Sequence, residues 1–160
     1  MKGSSDHILS LVNDLLDFQR LESGEMEVHS VPFRVPALFD EIYTSFQPIA
    51  EAKGLRFVLN LKPEETGQVY MGDPIRIRQV VGNLLSNAIK FTEAGRVVLL
   101  VSLQKLSAVH YQLSITVSDS GPGIPKEEQE RIFGEFTRLA DTEEVEGFGL
   151  GLSITRSFCP

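Results

Sequence analysis

The sequence predicts an α+β sandwich, a mixed sheet with helices on one face, preceded by a separate helix. Three observations carry that prediction. The elements run helix, strand, helix, strand, helix, strand, strand, loop, helix, which is not the βαβ alternation of a doubly wound sheet. Two long β-rich runs, 96–104 and 110–118, sit either side of 105–109, as the strands of a hairpin do. Several segments repeat apolar residues at helical spacing.

In residues 6–22, Ile8, Leu11, Leu15 and Phe18 form a stripe that Val12, Leu16 and Leu21 widen. Ser4, Ser5 or Asp6 can cap its start, and Ser23-Gly24 ends it. Such a stripe needs a partner, either its own domain or the other arm of a dimerising helical bundle. Met26–Val31 reads as a short strand. Pro32 and Pro36 precede a helix over about 37–52, with Leu38, Ile42, Phe46 and Ile49 as its buried face and Lys53-Gly54 at its end. Leu55–Leu61 alternates as a strand, and 62–72 reads as a polar loop.

Asp73-Pro74 pairs an N-cap with a first-turn proline, opening a helix through Ile75, Val80, Leu84 and Ile89 to about Phe91. Glu93-Ala94-Gly95 is a turn. After the hairpin, 119–147 is loop-rich with one short helix near Lys126–Phe133, and a last helix begins near Gly149.

The 160 residues are 42% hydrophobic, enough for one modest domain, or one domain plus an appendage. A net charge of −7 argues against nucleic acid or anionic lipid as a nonspecific partner. A single cysteine, Cys159, excludes a disulfide framework or cysteine metal site within one chain. The longest aliphatic run, Val97–Val101, is far too short to span a bilayer. The expectation is a soluble, cytoplasmic chain, or the cytoplasmic portion of a membrane-bound parent.

Three stretches carry chemistry. Asn83, Asn87 and Lys90 share one face of the 73–91 helix. A carboxamide oxygen suits Mg²⁺, which keeps most of its waters and takes phosphate oxygens as ligands. Asn87 is therefore the expected metal ligand, Asn83 a polar wall beside it, and Lys90 a point charge toward phosphate. An ordinary amphipathic helix with polar surface residues accounts equally well for this spacing taken alone.

Asp119 follows the apolar run Leu113–Val117 and so sits at a strand end. An ionised carboxylate only accepts hydrogen bonds, which selects the exocyclic amine of adenine over the carbonyl of guanine. Gly121 and Gly123 allow close backbone approach to a ring, although an Asp-Ser-Gly turn is also a common surface feature. Gly147, Gly149 and Gly151 open the last helix, where free N–H groups bind phosphate; a glycine hinge fits the same pattern. Leu152 stands where a dinucleotide fingerprint needs glycine, and no P-loop motif is present. Phe133 and Phe136 can anchor one end of the polar stretch 137–146, which reads as a mobile lid or as a disordered loop.

In this order and spacing, the motifs resemble the catalytic ATP-binding domain of sensor histidine kinases. Asn83–Thr92 resembles the family's N box, Asp119–Gly123 its first glycine box, Phe133–Phe136 its F box and Gly147–Leu152 its second glycine box. Asp73 to Gln79, with Arg76 and Arg78, resembles the usual lead-in. The resemblance implies the Bergerat α/β sandwich with ATP and Mg²⁺ bound under a lid. It implies nucleotide contacts at Asn83, Asn87, Lys90, Phe91, Asp119, Gly121, Gly123, Ile124, Gly147, Gly149, Leu150, Gly151 and Leu152. Arg138 stands where the family often has a lid residue near the phosphates.

Residues 1–24 resemble the second helix of a dimerisation and phosphoacceptor hairpin, and 25–160 the catalytic domain. The resemblance implies a homodimeric parent, an acceptor helix on the same or partner protomer, and a response regulator receiver domain as partners. The helix bearing the acceptor histidine is expected to lie outside these residues. His7, followed by Ile8 and Leu9, does not match it, and His29 and His110 fall in strand contexts. The family also continues past the last helix into a closing pair of strands, so a C-terminally incomplete domain is expected.

Phe148 replaces the small hydroxyl residue usual in the second glycine box. ATPases and serine kinases of the same fold usually carry glutamate four residues before the metal-binding asparagine. Asn83 occupies that position and cannot serve as a base at neutral pH, which favours phosphoryl transfer over hydrolysis. A nucleotide-binding interaction module without catalysis remains the alternative. No residue of the chain itself is assigned a catalytic role.

Overall fold

From residue 31 the chain runs through β1 (Val31–Phe33), α1 (Val35–Ala52), β2 (Arg56–Leu61), β3 (Tyr70–Gly72), α2 (Pro74–Phe91), β4 (Arg96–Lys105), β5 (Tyr111–Asp119) and a 3₁₀ turn at Arg131–Phe133. This computed structural model describes Val12, Leu16, Gln19, Ser23, residues 27–62 and 68–134, Gly151, Leu152 and Thr155. It divides into two units, His29–Gly123 and a second made of Met1–Val28 with Ile124–Pro160.

In the first unit, β2, β4 and β5 form the expected mixed sheet. β2 runs parallel to β4 (Phe57 beside Val97), and β4 antiparallel to β5 (Val97 opposite Asp119). Side chains alternate across a strand, so one face of the sheet presents Val97, Leu99 and Val101, all fully buried, with Phe57, Leu59, Ile115 and Val117 around them. Gln112, Ser114, Thr116 and Ser118 of β5 point the other way and are exposed. The α helices cover the apolar face, α1 with Val35, Leu38, Phe39 and Ile42, α2 with Val81, Leu85, Ala88 and Ile89. Tyr43 stacks on Phe57 with ring centroids 5.0 Å apart, which seats α1 on the sheet.

Some expectations shift. Ile49 of α1 is 54% exposed and Ala50 is buried instead. The chain doubles back there, with Leu55 N–H donating to the Ala50 carbonyl at 2.9 Å. Ile75 is 72% exposed, because at 3.6 residues per turn it falls off the arc through Val81, Leu85 and Ala88. The strand expected at 26–31 forms at Val31–Phe33, where a partner exists: β3, which was expected to be part of a loop. Phe33 lies over Gly72, where an added Cβ would sit 2.9 Å from the ring.

In the second unit, Val12, Leu16 and Gln19 are helical, and Ser23 N–H donates to the Gln19 carbonyl at 3.0 Å. The helix expected at 126–133 is a series of turns ending in the 3₁₀ turn. Ile132 N–H to the Glu128 carbonyl has α spacing, but Glu128 to Pro125 and Gly134 to Arg131 are three-residue bonds. Gly151, Leu152 and Thr155 are helical, as expected of the last helix. The remainder of the 6–22 helix, Phe136, Arg138, Gly147, Gly149 and Leu150 lie outside the described residues.

Candidate functional site

The site is built on α2, and α2 begins as its sequence requires. Asp73 Oδ1 accepts from Arg76 N–H at 3.1 Å, capping one orphan donor, while Pro74 fills the first turn. The other carboxylate oxygen accepts from His29 N–H at 3.0 Å, tying the lead into β1 to the start of α2. Asp73 is buried, so it is a structural cap and not a surface charge. His29 is exposed, and so is His110, whose Nδ1 lies 3.1 Å from Ser107 Oγ in the β4–β5 turn.

Asn83, Asn87 and Lys90 lie on the opposite side of α2 from Val81, Leu85 and Ala88, one face as expected. All three are half-buried. Lys90 Nζ sits 5.2 Å from the centre of the Phe91 ring, and Phe91 is 39% exposed. Cation and ring thus neighbour one another at the helix end.

The C-terminal end of α2 meets the end of β5. Thr92, the C-cap, is fully buried, and its hydroxyl donates to Asp119 Oδ1 at 3.5 Å. The same oxygen accepts from Gly121 N–H at 2.8 Å, an Asx turn. Asp119 itself is exposed, so its carboxylate is oriented by the protein and still reachable by a ligand.

The two first-box glycines are required for different reasons. A Cβ at Gly121 would meet Asp119 Oδ1 at 2.8 Å, the Phe91 carbonyl at 3.1 Å and Thr92 Oγ1 at 3.3 Å. The close approach is therefore between parts of the protein. At Gly123 a Cβ would meet nothing within 4 Å, but φ is +75°, a region that disfavours L side chains. Just beyond, Ile124 is 39% exposed and its carbonyl accepts from Gln129 Nε2 at 3.0 Å. Gly151 and Leu152 of the second box are helical and half-buried, and Thr155 Oγ1 bonds back to the Gly151 carbonyl at 2.8 Å.

The structure adds residues that the motif reading did not single out. Thr92 is the hydroxyl that reaches Asp119. Ser120 Oγ accepts from Arg96 N–H at 2.9 Å and donates to the Ala94 carbonyl at 3.0 Å, fastening the α2–β4 turn to the strand end that carries Asp119. Nothing in local pattern separates this serine from any other turn serine.

The donor chemistry fits a hydrated magnesium ion. Among the described residues, no group of three or more His, Cys, Asp or Glu side chains could cage a metal. A carboxamide such as Asn87 supplies one neutral oxygen, which suits an ion that keeps its waters and phosphate ligands. Among the described residues, no helix is long and apolar enough to cross a membrane.

Comparison with known proteins identifies the family and the fold. Residues 72–159 match the family described as histidine kinase-, DNA gyrase B-, and HSP90-like ATPase. The signal transduction histidine-protein kinase BarA of Escherichia coli strain K12 is 40% identical over 159 residues, which is 98% of this chain and 17% of BarA. The chain thus spans under a fifth of that relative's length. Full-length ShkA, solved in complex with AMPPNP, superposes with a TM-score of 0.80 at 34% identity, covering 97% of this chain and 31% of ShkA. The catalytic domain of histidine kinase ThkA gives a TM-score of 0.60 at 31% identity, covering 82% of this chain and 80% of that domain. ThkA in complex with the response regulator protein TrrA gives 0.67 at 25% identity, over 99% of this chain and 41% of that one. The chain belongs to the histidine kinase-, DNA gyrase B-, and HSP90-like ATPases and carries the fold of a histidine kinase catalytic domain.

Proposed function

We propose that this chain binds Mg-ATP and serves a sensor kinase that passes the γ-phosphoryl group to a histidine on a dimerisation helix. The observation that carries the proposal is the exposed carboxylate of Asp119, held by Thr92 and Gly121 at the end of the helix that carries Asn83, Asn87 and Lys90. That carboxylate accepts from the adenine amine. Asn87 offers its carboxamide oxygen to the hydrated metal, Asn83 lines the same face, and Phe91 and Ile124 supply apolar contact. The family resemblance assigns phosphate to Lys90 and to the backbone amides of Gly147, Gly149, Leu150, Gly151 and Leu152, and a lid role to Arg138. A magnesium ion held at Asn87 would supply charge neutralisation to the phosphates.

The reaction breaks the bond between the γ-phosphorus and its bridging oxygen and forms a phosphorus–nitrogen bond to the imidazole, whose proton is released. This chain's part is orientation and charge stabilisation, with no residue acting as a base. The AMPPNP bound by ShkA and the response regulator bound by ThkA support a nucleotide site and a receiver partner. Residues 1–24 belong, in this reading, to the dimerisation hairpin of a homodimeric, cytoplasmically facing kinase, and 25–160 to its catalytic domain. No nucleic acid partner is expected at a net charge of −7.

The test is calorimetry with ATP and ADP, with and without magnesium, on the intact protein, followed by transfer of labelled phosphate to a protein bearing the acceptor helix. Acid-labile, alkali-stable label on the acceptor is expected. Binding without transfer reduces the chain to a nucleotide-binding module, and no binding removes the proposal.

A further inference from the structure

The last turn of α2 is held from outside its own helix. The final carbonyls of a helix have no partner within it. Here Thr92 N–H serves the Ala88 carbonyl at 3.1 Å, and Lys53 Nζ donates to the carbonyls of Ile89, at 2.7 Å, and of Lys90. Lys53 is the C-cap residue of α1, 36 and 37 positions away from the carbonyls it serves. A cation on the C-terminal carbonyls of a helix also meets the negative end of its dipole.

The turn that Lys53 holds is the one that bears the site. Lys90 and Phe91 lie in it, Thr92 caps it and reaches Asp119, and the Phe91 carbonyl packs against Gly121. The backbone next to Lys53 is fastened to the same region, with Arg56 N–H donating to the Gly95 carbonyl at 2.9 Å. The α1–β2 turn therefore braces both ends of the α2–β4 connection, the ammonium at its start and the β2 backbone at its far side. The ammonium donates to two main-chain oxygens of the turn in which Lys90 stands and which Thr92 caps.

We propose that Lys53 is a positioning residue for the nucleotide site, acting through the last turn of α2. This rests on the nucleotide-binding function proposed above. The experiment compares Lys53→Met, which keeps the length and removes charge and donors, with Lys53→Arg, which keeps both. Affinities for AMPPNP and for adenosine are measured by calorimetry on the intact protein, with amide hydrogen exchange alongside.

Lys53→Met is expected to weaken both ligands by about threefold to fivefold, the range that a cation at a helix C-terminus supports. Exchange should quicken at residues 92–96 while protection of Val97–Val101 stays at the wild-type level. Lys53→Arg should restore affinity to within about twofold, since the guanidinium again supplies charge-assisted donors. Unchanged affinity in Lys53→Met overturns the inference. So does a loss that Lys53→Arg does not rescue, or a loss that tracks lower protection throughout the β4 core. Wild-type protein that binds neither ligand would instead overturn the nucleotide reading on which the inference stands.

Discussion

Asp119 and Thr92 meet across 27 positions of sequence, the buried hydroxyl of one donating to Oδ1 of the other at 3.5 Å. The contact joins the C-cap of α2 to the last residue of β5. With Gly121 N–H on the same oxygen, the carboxylate is aimed before any ligand arrives.

Asp119→Asn tests that aim. The amide oxygen can keep the bonds from Thr92 and Gly121, but the other carboxylate oxygen becomes a donor facing the donor amine of adenine. Adenine nucleotide affinity should fall roughly tenfold to a hundredfold, as expected when a hydrogen bond to a charged acceptor is replaced by an opposed donor. Calorimetry measures it, with the melting temperature unchanged. Full affinity would show that the carboxylate does not read the base.

Gly121→Ala should displace the carboxylate from within. Its methyl would stand 2.8 Å from Asp119 Oδ1 and 3.1 Å from the Phe91 carbonyl, and the backbone atom is the less able to yield. Crowding of this kind costs about 1–3 kcal/mol. Affinity for adenosine should drop together with a lower melting temperature, and an alanine variant with wild-type values in both would refute the close packing described here.

Asn87→Ala is expected to separate the metal from the base. Asn87 is half-buried on the side of α2 away from the core, so the fold should hold and the melting temperature should stay within about 2 °C, as for surface changes generally. Adenosine should bind as before. The gain in ATP affinity on adding magnesium should shrink, and phosphoryl transfer should fall below detection. Transfer at the wild-type rate would contradict the metal-ligand role.

Asp73→Ala should act on stability alone. It strips the cap from Arg76 N–H and leaves His29 N–H without its acceptor near a buried position. A lost cap and an unpaired donor together cost about 2–4 kcal/mol, or roughly 4–16 °C in melting temperature for a domain of this size. Asp73→Asn, which keeps an acceptor for one of the two, should lose less. Equal melting temperatures for wild type and Asp73→Ala would disprove the double role.

Much of this was legible in the chain. Asp73-Pro74 marks the start of α2 because a short acidic side chain and a ring with fixed φ both suit the first turn, whatever surrounds them. The alternation of Val97, Leu99 and Val101 marks β4 because strand geometry sends every second side chain to one face. The spacing of Asn83, Asn87 and Lys90 places them on one helix face for the same local reason. What was misread depended on partners far along the chain. β3 is three residues long and is a strand only because β1 pairs with it. Ile49 and Ile75 have the right character for a core, yet both stand exposed.

The chain alone therefore determined the two long helices, the β4–β5 hairpin, the cap at Asp73 and the face that carries the two asparagines, since each follows from backbone geometry over a few neighbouring residues. Folding in three dimensions decided which loops touch. Thr92 against Asp119, Lys53 beneath the carbonyls of Ile89 and Lys90, and Ser120 across the Ala94–Arg96 turn join residues 24 to 37 positions apart. No local propensity encodes such distances, because they are set only when α1, α2 and the sheet pack their apolar faces together and bring the ends of those elements into hydrogen-bond range.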